Sequence, residues 1–156
     1  MIIFLDIDGV IATDKSYSEY EDRLDRKCIK VLNYLTTKIK AQIVISSTWR
    51  FEGLIHLKDL LKNAGVEADV LSVTPDANEK TQSGLLIAEG RGSEILKWIE
   101  ENNYVGEYVV LDDEVSDIVK FIDSSRIIHC KNGFRKNGLT LYLVEDWLND
   151  HKEFIR

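Results

Sequence analysis

Two hydrophobic rhythms alternate along this chain. Short apolar-rich runs at Ile2–Leu5, Ala41–Ile45, Ala68–Val73, Glu107–Leu111 and Arg126–His129 predict five strands, Ile2–Leu5 being unbroken as suits a fully buried parallel strand. Between them the apolar positions fall at helical spacing. Leu24, Cys28, Val31, Leu32, Leu35 and Ile39 share one face, starting from Asp22. Leu54, Leu57, Leu60, Leu61 and Ala64 share another, closed by Gly65. A third helix carries Ile95, Leu96, Trp98 and Ile99 behind Ser93 as its cap. A last one, capped by Thr140 after the Gly138-Leu139-Thr140 turn, buries Leu143, Trp147 and Leu148.

Strands alternating with helices give an α/β fold: a doubly wound, Rossmann-like parallel sheet of about five strands with helices on both faces. Residues 1–156 read as one domain, with no repeat or linker. Thr13 to Asp22 is polar apart from Tyr17 and Tyr20 and reads as a loop or small flap, around residues 11–22. Residues 76–92, following Pro75, carry no clear periodicity and read as a substrate-facing loop.

Composition narrows the function classes. With 44% hydrophobic and 30% charged residues, the chain is expected to fold as an ordinary soluble domain. A net charge of −7 disfavours general coating of nucleic acid, which needs clustered Lys and Arg. Cys28 and Cys130 are isolated and read as reduced core positions. His56, His129 and His151 are scattered and pair with no evident nucleophile. No apolar run is long enough for a membrane span and no basic stretch leads the N-terminus, so a cytoplasmic location is the expectation.

The chemistry concentrates where apolar runs end in acid. Ile2–Leu5 leads directly into Asp6-Ile7-Asp8-Gly9, and Tyr108–Leu111 leads into Asp112-Asp113. In open α/β sheets, ligands bind at these carboxyl strand ends. An Asp-x-Asp-Gly alone is also a common surface turn. A second acidic pair after a second strand shifts the balance, since converging carboxylates repel unless a hard cation such as Mg²⁺ lies among them. Asp113 could equally cap a following helix. Of Asp6 and Asp8, one carboxylate can attack phosphorus while the other hands a proton to the leaving oxygen and later takes one from water. Ser46, at the end of the second strand, offers a hydroxyl and a backbone N–H to a phosphate oxygen; Ser47 and Thr48 offer the same chemistry nearby. Arg91 or Arg50 could supply the fixed positive charge, with Arg50 and Trp49 also open to substrate contact.

Taken in order, Phe4–Val10, Ile45-Ser46-Ser47, Arg91 and Leu111-Asp112-Asp113 resemble the four motifs of the haloacid dehalogenase (HAD) superfamily. The resemblance implies that Asp6 is a nucleophile that becomes phosphorylated. It implies that Asp8 is the general acid/base, with its backbone carbonyl on Mg²⁺. Ser46 would bind phosphate, Arg91 would stand where the family more often has Lys, and Asp112 would hold the metal together with Asp6, Asp113 being a second or water-mediated ligand. An acid at position 8 matches the phosphatases of the superfamily and not its dehalogenases. Neither interval that carries a cap in the family has room for a full cap domain here, so the site is expected to be open. The substrate class is open among a nucleic-acid end, a protein side chain, and a metabolite enclosed by an oligomeric partner. Ser47–Arg50, Arg91–Ile95 before Trp98, and Gly138-Leu139-Thr140 further resemble the small HAD domains of RNA-repair proteins.

A response-regulator receiver, a phospho-accepting module with little turnover, uses similar residue types in another order. Its acidic pair follows the first strand, whereas here Asp-x-Asp comes first and the pair comes late. The order favours a Mg²⁺-dependent phosphatase over a phosphate-binding signalling module.

Overall fold

A computed structural model of the chain describes residues 1–76 and 90–156. Most of the 76–92 loop therefore lies outside the described residues. Five parallel strands form one sheet: β1 (Ile2–Leu5), β2 (Gln42–Ile45), β3 (Val70–Val73), β4 (Tyr108–Asp112) and β5 (Ile127–His129), in the order β3-β2-β1-β4-β5. The helices are α1 (Asp14–Glu19), α2 (Arg26–Ile39), α3 (Leu54–Ala64), α4 (Arg91–Glu101) and α5 (Leu141–Asp150).

Alternation along the central strands explains why both faces are covered. Ile3, Leu5, Ile43, Ile45, Val109 and Leu111 join one core, to which α2, α3 and α5 contribute Leu32, Leu57 and Val144. Ile2, Phe4, Val44 and Val110 point the other way, onto Ile95 and Trp98 of α4 and onto Ile118 and Ile122. Phe4 meets the edges of Trp98 and Tyr108, with centroids 5.4 and 5.6 Å away. The expected doubly wound architecture is thus the one observed, with no full cap domain among the described residues. None of their helices is long and apolar enough to cross a membrane.

Register positions the site. Leu5 pairs with Ile45 on one side and Leu111 on the other. Asp6, Ser46 and Asp112 therefore stand together at three neighbouring strand ends, where the chain order reverses about β1. That reversal is where such sheets open a crevice.

Three local expectations are corrected. The flap is not only loop: Thr13 and Ser16 form a reciprocal cap that starts α1, with Thr13 Oγ1 accepting from Ser16 N and Ser16 Oγ accepting from Thr13 N. Its one short turn and a half carries no apolar stripe to betray it. Helix α2 is capped by Asp25, while Asp22 pairs with Arg26. Helix α4 starts at Arg91 behind Gly90 (φ +115°), and Ser93 lies inside its first turn with Oγ donating to the Gly90 carbonyl. A glycine at that cap leaves no side-chain signal in the sequence. Thr140 and Gly65 act as expected, as a side-chain cap and a left-handed helix stop.

Candidate active site

Three carboxylates converge at the switch point. One oxygen each from Asp6, Asp112 and Asp113 lies within 4.8 Å of the others. Asp6 is 4% exposed and Asp112 fully buried. Arg91 faces them from the start of α4, its Nη1 lying 2.8 Å from Asp112 Oδ2 and 3.1 Å from Asp6 Oδ1. Its backbone N–H donates to Asp117 Oδ2 at 2.6 Å, which anchors the helix start to the turn after β4.

Charge here is out of balance. With all three acids ionised, one guanidinium would leave two negative charges, matching one divalent cation. Burial, then the neighbouring Asp112, pushes the Asp6 carboxyl up to about 9 although Arg91 acts against them. Burial raises Asp112 in the same direction, again with Arg91 opposing. For Arg91, burial opposes the charge, but Asp6 and Asp112 outweigh it and hold the guanidinium above its ordinary value. An all-oxygen donor set of this charge fits Mg²⁺. Gly9 keeps the nest tight: at φ +82° it brings the backbone so close that a Cβ would sit 2.2 Å from Asp113 Oδ2.

The Asp8 side chain lies outside that trio. Its Oδ1 accepts from the Tyr17 hydroxyl at 2.6 Å and its Oδ2 from Trp49 Nε1 at 3.0 Å. Tyr17 belongs to α1, so the flap reaches down onto the acid. The Tyr17 ring also meets the edge of Phe134 at 5.3 Å, and burial, then the bond to Asp8, pushes its phenol up to about 12. Tyr17 of the flap and Trp49, which the sequence left open to substrate contact, are thus both hydrogen-bond donors to one carboxylate. Only their aromatic character was visible along the chain, because the contact spans α1, β1 and the turn after β2.

Ser46 needs a correction of detail. Its backbone N–H is already spent on the Leu5 carbonyl at 2.8 Å, as the sheet ladder requires, so only the hydroxyl is on offer. That hydroxyl is wholly buried and has no hydrogen-bond partner among the described residues. An unsatisfied buried hydroxyl costs about 1–3 kcal/mol, which an anion oxygen would relieve. Ser47 Oγ instead accepts from Trp49 N and caps the 3₁₀ turn Thr48–Glu52. Arg50 turns away from the acids to an ion pair with Glu94, the two side chains only 7% and 13% exposed. The structure therefore places Arg91 in the cleft and ties Arg50 into the scaffold. His129 Nε2 sits 3.1 Å from the Asp113 carbonyl, a contact the scattered histidines did not announce.

A cleft of about 410 Å³ opens here, with Asp6, Asp8, Tyr17, Thr48, Arg91 and Asp113 in its wall. A larger hollow of about 600 Å³ lies beside α3 and β3. Size does not select the site, since Asp6 and Asp113 of the trio line the smaller one. A family model described as the HAD domain in Swiss Army Knife RNA repair proteins matches residues 2–142. No curated protein and no solved structure matches the chain.

Proposed function

Because the chain belongs to the family of HAD domains of Swiss Army Knife RNA repair proteins, we propose that it is a Mg²⁺-dependent phosphomonoester hydrolase acting through an aspartyl-phosphate. The observation that carries this reading is the carboxylate trio facing Arg91, with Asp6 and Asp112 buried and Asp113 half-buried, which when fully ionised is two positive charges short of neutrality. Asp6, Asp112 and Asp113 would hold Mg²⁺, with the Asp8 backbone carbonyl beside them. When bound, the ion would screen the carboxylates from an incoming phosphate and polarise its oxygens.

The side chains divide the work. Asp6 attacks phosphorus; its new Oδ–P bond forms as the ester P–O bond breaks, and Asp8 gives the leaving oxygen a proton. Water then attacks the phosphorus of the aspartyl-phosphate and returns a proton to Asp8, releasing inorganic phosphate and restoring Asp6. Tyr17 and Trp49 fix where Asp8 points. Arg91 and the Ser46 hydroxyl hold the equatorial oxygens as charge builds on them. The open cleft suits a bulky substrate.

p-Nitrophenyl phosphate tests this directly. Hydrolysis with Mg²⁺ is expected, lost with EDTA and reduced at least about a thousandfold in Asp6→Asn, as for removal of a covalent nucleophile. Full activity in Asp6→Asn would end its role as nucleophile. A long-lived phosphorylated Asp6 without turnover would assign the chain to the phospho-accepting alternative.

A further inference from the structure

The rim of the cleft carries a positive surface on a chain whose net charge is −7. Between Asp123 and Glu145 the sequence contains no acid. Within that stretch Lys131, Arg135 and Lys136 are exposed and make no ion pair among the described residues, while Arg126 pairs with Glu107. Three uncompensated cations in six residues would repel one another and gain little as a solvated face. Their place in the fold gives them a use.

The loop that carries them is fastened to the nucleophile loop. Gly133 lies so close to Gly9 that a Cβ would meet the Gly9 carbonyl oxygen at 1.8 Å. The Phe134 carbonyl accepts from Asp14 N at 2.8 Å, and Leu139 N donates to the Val10 carbonyl at 2.8 Å. Phe134 itself lines the cleft, between the exposed Asn132 and Arg135 positions. Lys131, Arg135 and Lys136 are not among the cleft-lining residues, so a small phosphate ester has no reach to them. Only a substrate that continues past its reacting phosphate, and stays anionic there, can use this charge. On the β2 side, Phe51 stands 68% exposed in the same 3₁₀ turn as the cleft-lining Thr48. An exposed aromatic near a cationic rim is how proteins hold single strands, by stacking bases while cations follow the backbone. Arg50 lies over the Phe51 ring, 4.8 Å from its centroid, and an acidic peptide would use the cations but leave the exposed part of that ring unused.

We propose that the Lys131–Lys136 loop grips the backbone phosphates of a single-stranded polynucleotide whose terminal phosphate enters the cleft, an assignment that rests on the phosphomonoesterase reading above. The loop selects polymer over monomer: its attraction acts on phosphates beyond the one that reacts. The acidic cleft wall offers a strand no such attraction, which is why the grip has to lie outside it.

Fluorescence anisotropy tests the loop without turnover. Asp6→Asn protein is titrated with labelled single strands of about twelve nucleotides, as RNA and as DNA, each with a terminal phosphate. Three backbone contacts give a slope of log K against log salt of about −2. Adding Lys131→Ala, Arg135→Ala and Lys136→Ala is expected to weaken binding by roughly tenfold or more at low salt and bring the slope near zero. Phe51→Ala is expected to weaken binding several-fold with the slope unchanged. With Asp6 intact, the triple variant should still hydrolyse p-nitrophenyl phosphate, which shows that it is folded. Equal binding and equal slope in the triple variant would overturn the assignment. So would failure of every strand to bind, or an acidic phosphopeptide binding as tightly as the strands. If wild-type protein fails to hydrolyse p-nitrophenyl phosphate, the phosphatase reading falls, while the anisotropy still decides the loop.

Discussion

Asp6 is held in a state that costs the fold something. Its carboxyl stands at about 9 against an ordinary 3.8, because burial and Asp112 oppose its charge more than Arg91 supports it. An acid raised in this way binds more protons folded than unfolded between those two values, so stability falls as pH rises through that window. Asp6→Asn removes the titration. In EDTA, wild type should therefore lose melting temperature relative to Asp6→Asn between about pH 5 and about pH 8, with Mg²⁺ closing the gap. Parallel curves would mean that Asp6 is not strained by its neighbours. The four acids of this site were legible along the chain because each pair follows an apolar run that can only be a strand. The donors to Asp8 were not legible. A tyrosine on a six-residue helix and a tryptophan after β2 meet one carboxylate only once the sheet has brought them together.

At the scale of elements, the Arg50–Glu94 pair is a strut between the turn after β2 and helix α4. It holds the start of α4, and with it Arg91, against the strand ends. Two charges this deeply buried stabilise little as a pair compared with apolar packing, but breaking one strands the other. Glu94→Ala is expected to cost about 3–5 kcal/mol, read as a shift in the urea midpoint at unchanged slope. A combined Arg50→Met and Glu94→Leu variant should recover most of it. A cost under about 1 kcal/mol for Glu94→Ala would show that the pair is solvated. Nothing in the sequence identified Glu94, and Arg50 looked as suited to substrate as Arg91. The distinction depends on where α4 begins. With Gly90 as cap, Arg91 is the first helical residue and points at Asp112; a start at Ser93 would have left it in a loop.

For the whole molecule, strand count, parallel pairing and two-faced burial followed from runs such as Ile2–Leu5, whose alternate residues reach opposite cores. What the chain order could not convey was convergence across distance: the packing of Gly133 onto Gly9, the descent of α1 onto Asp8, and the basic rim on an acidic protein. Each depends on loops that have no period to read. The central claim for the molecule is that phosphate passes through a covalent bond to Asp6. The most direct measurement is to quench turnover of a phosphorylated substrate in acid, reduce with borohydride, and sequence the peptides by mass spectrometry. An acyl phosphate on Asp6 is reduced to homoserine, so the expected result is homoserine at position 6, absent without substrate. Sustained turnover with Asp6 unmodified, or with homoserine at Asp8 or Asp112 instead, would contradict it.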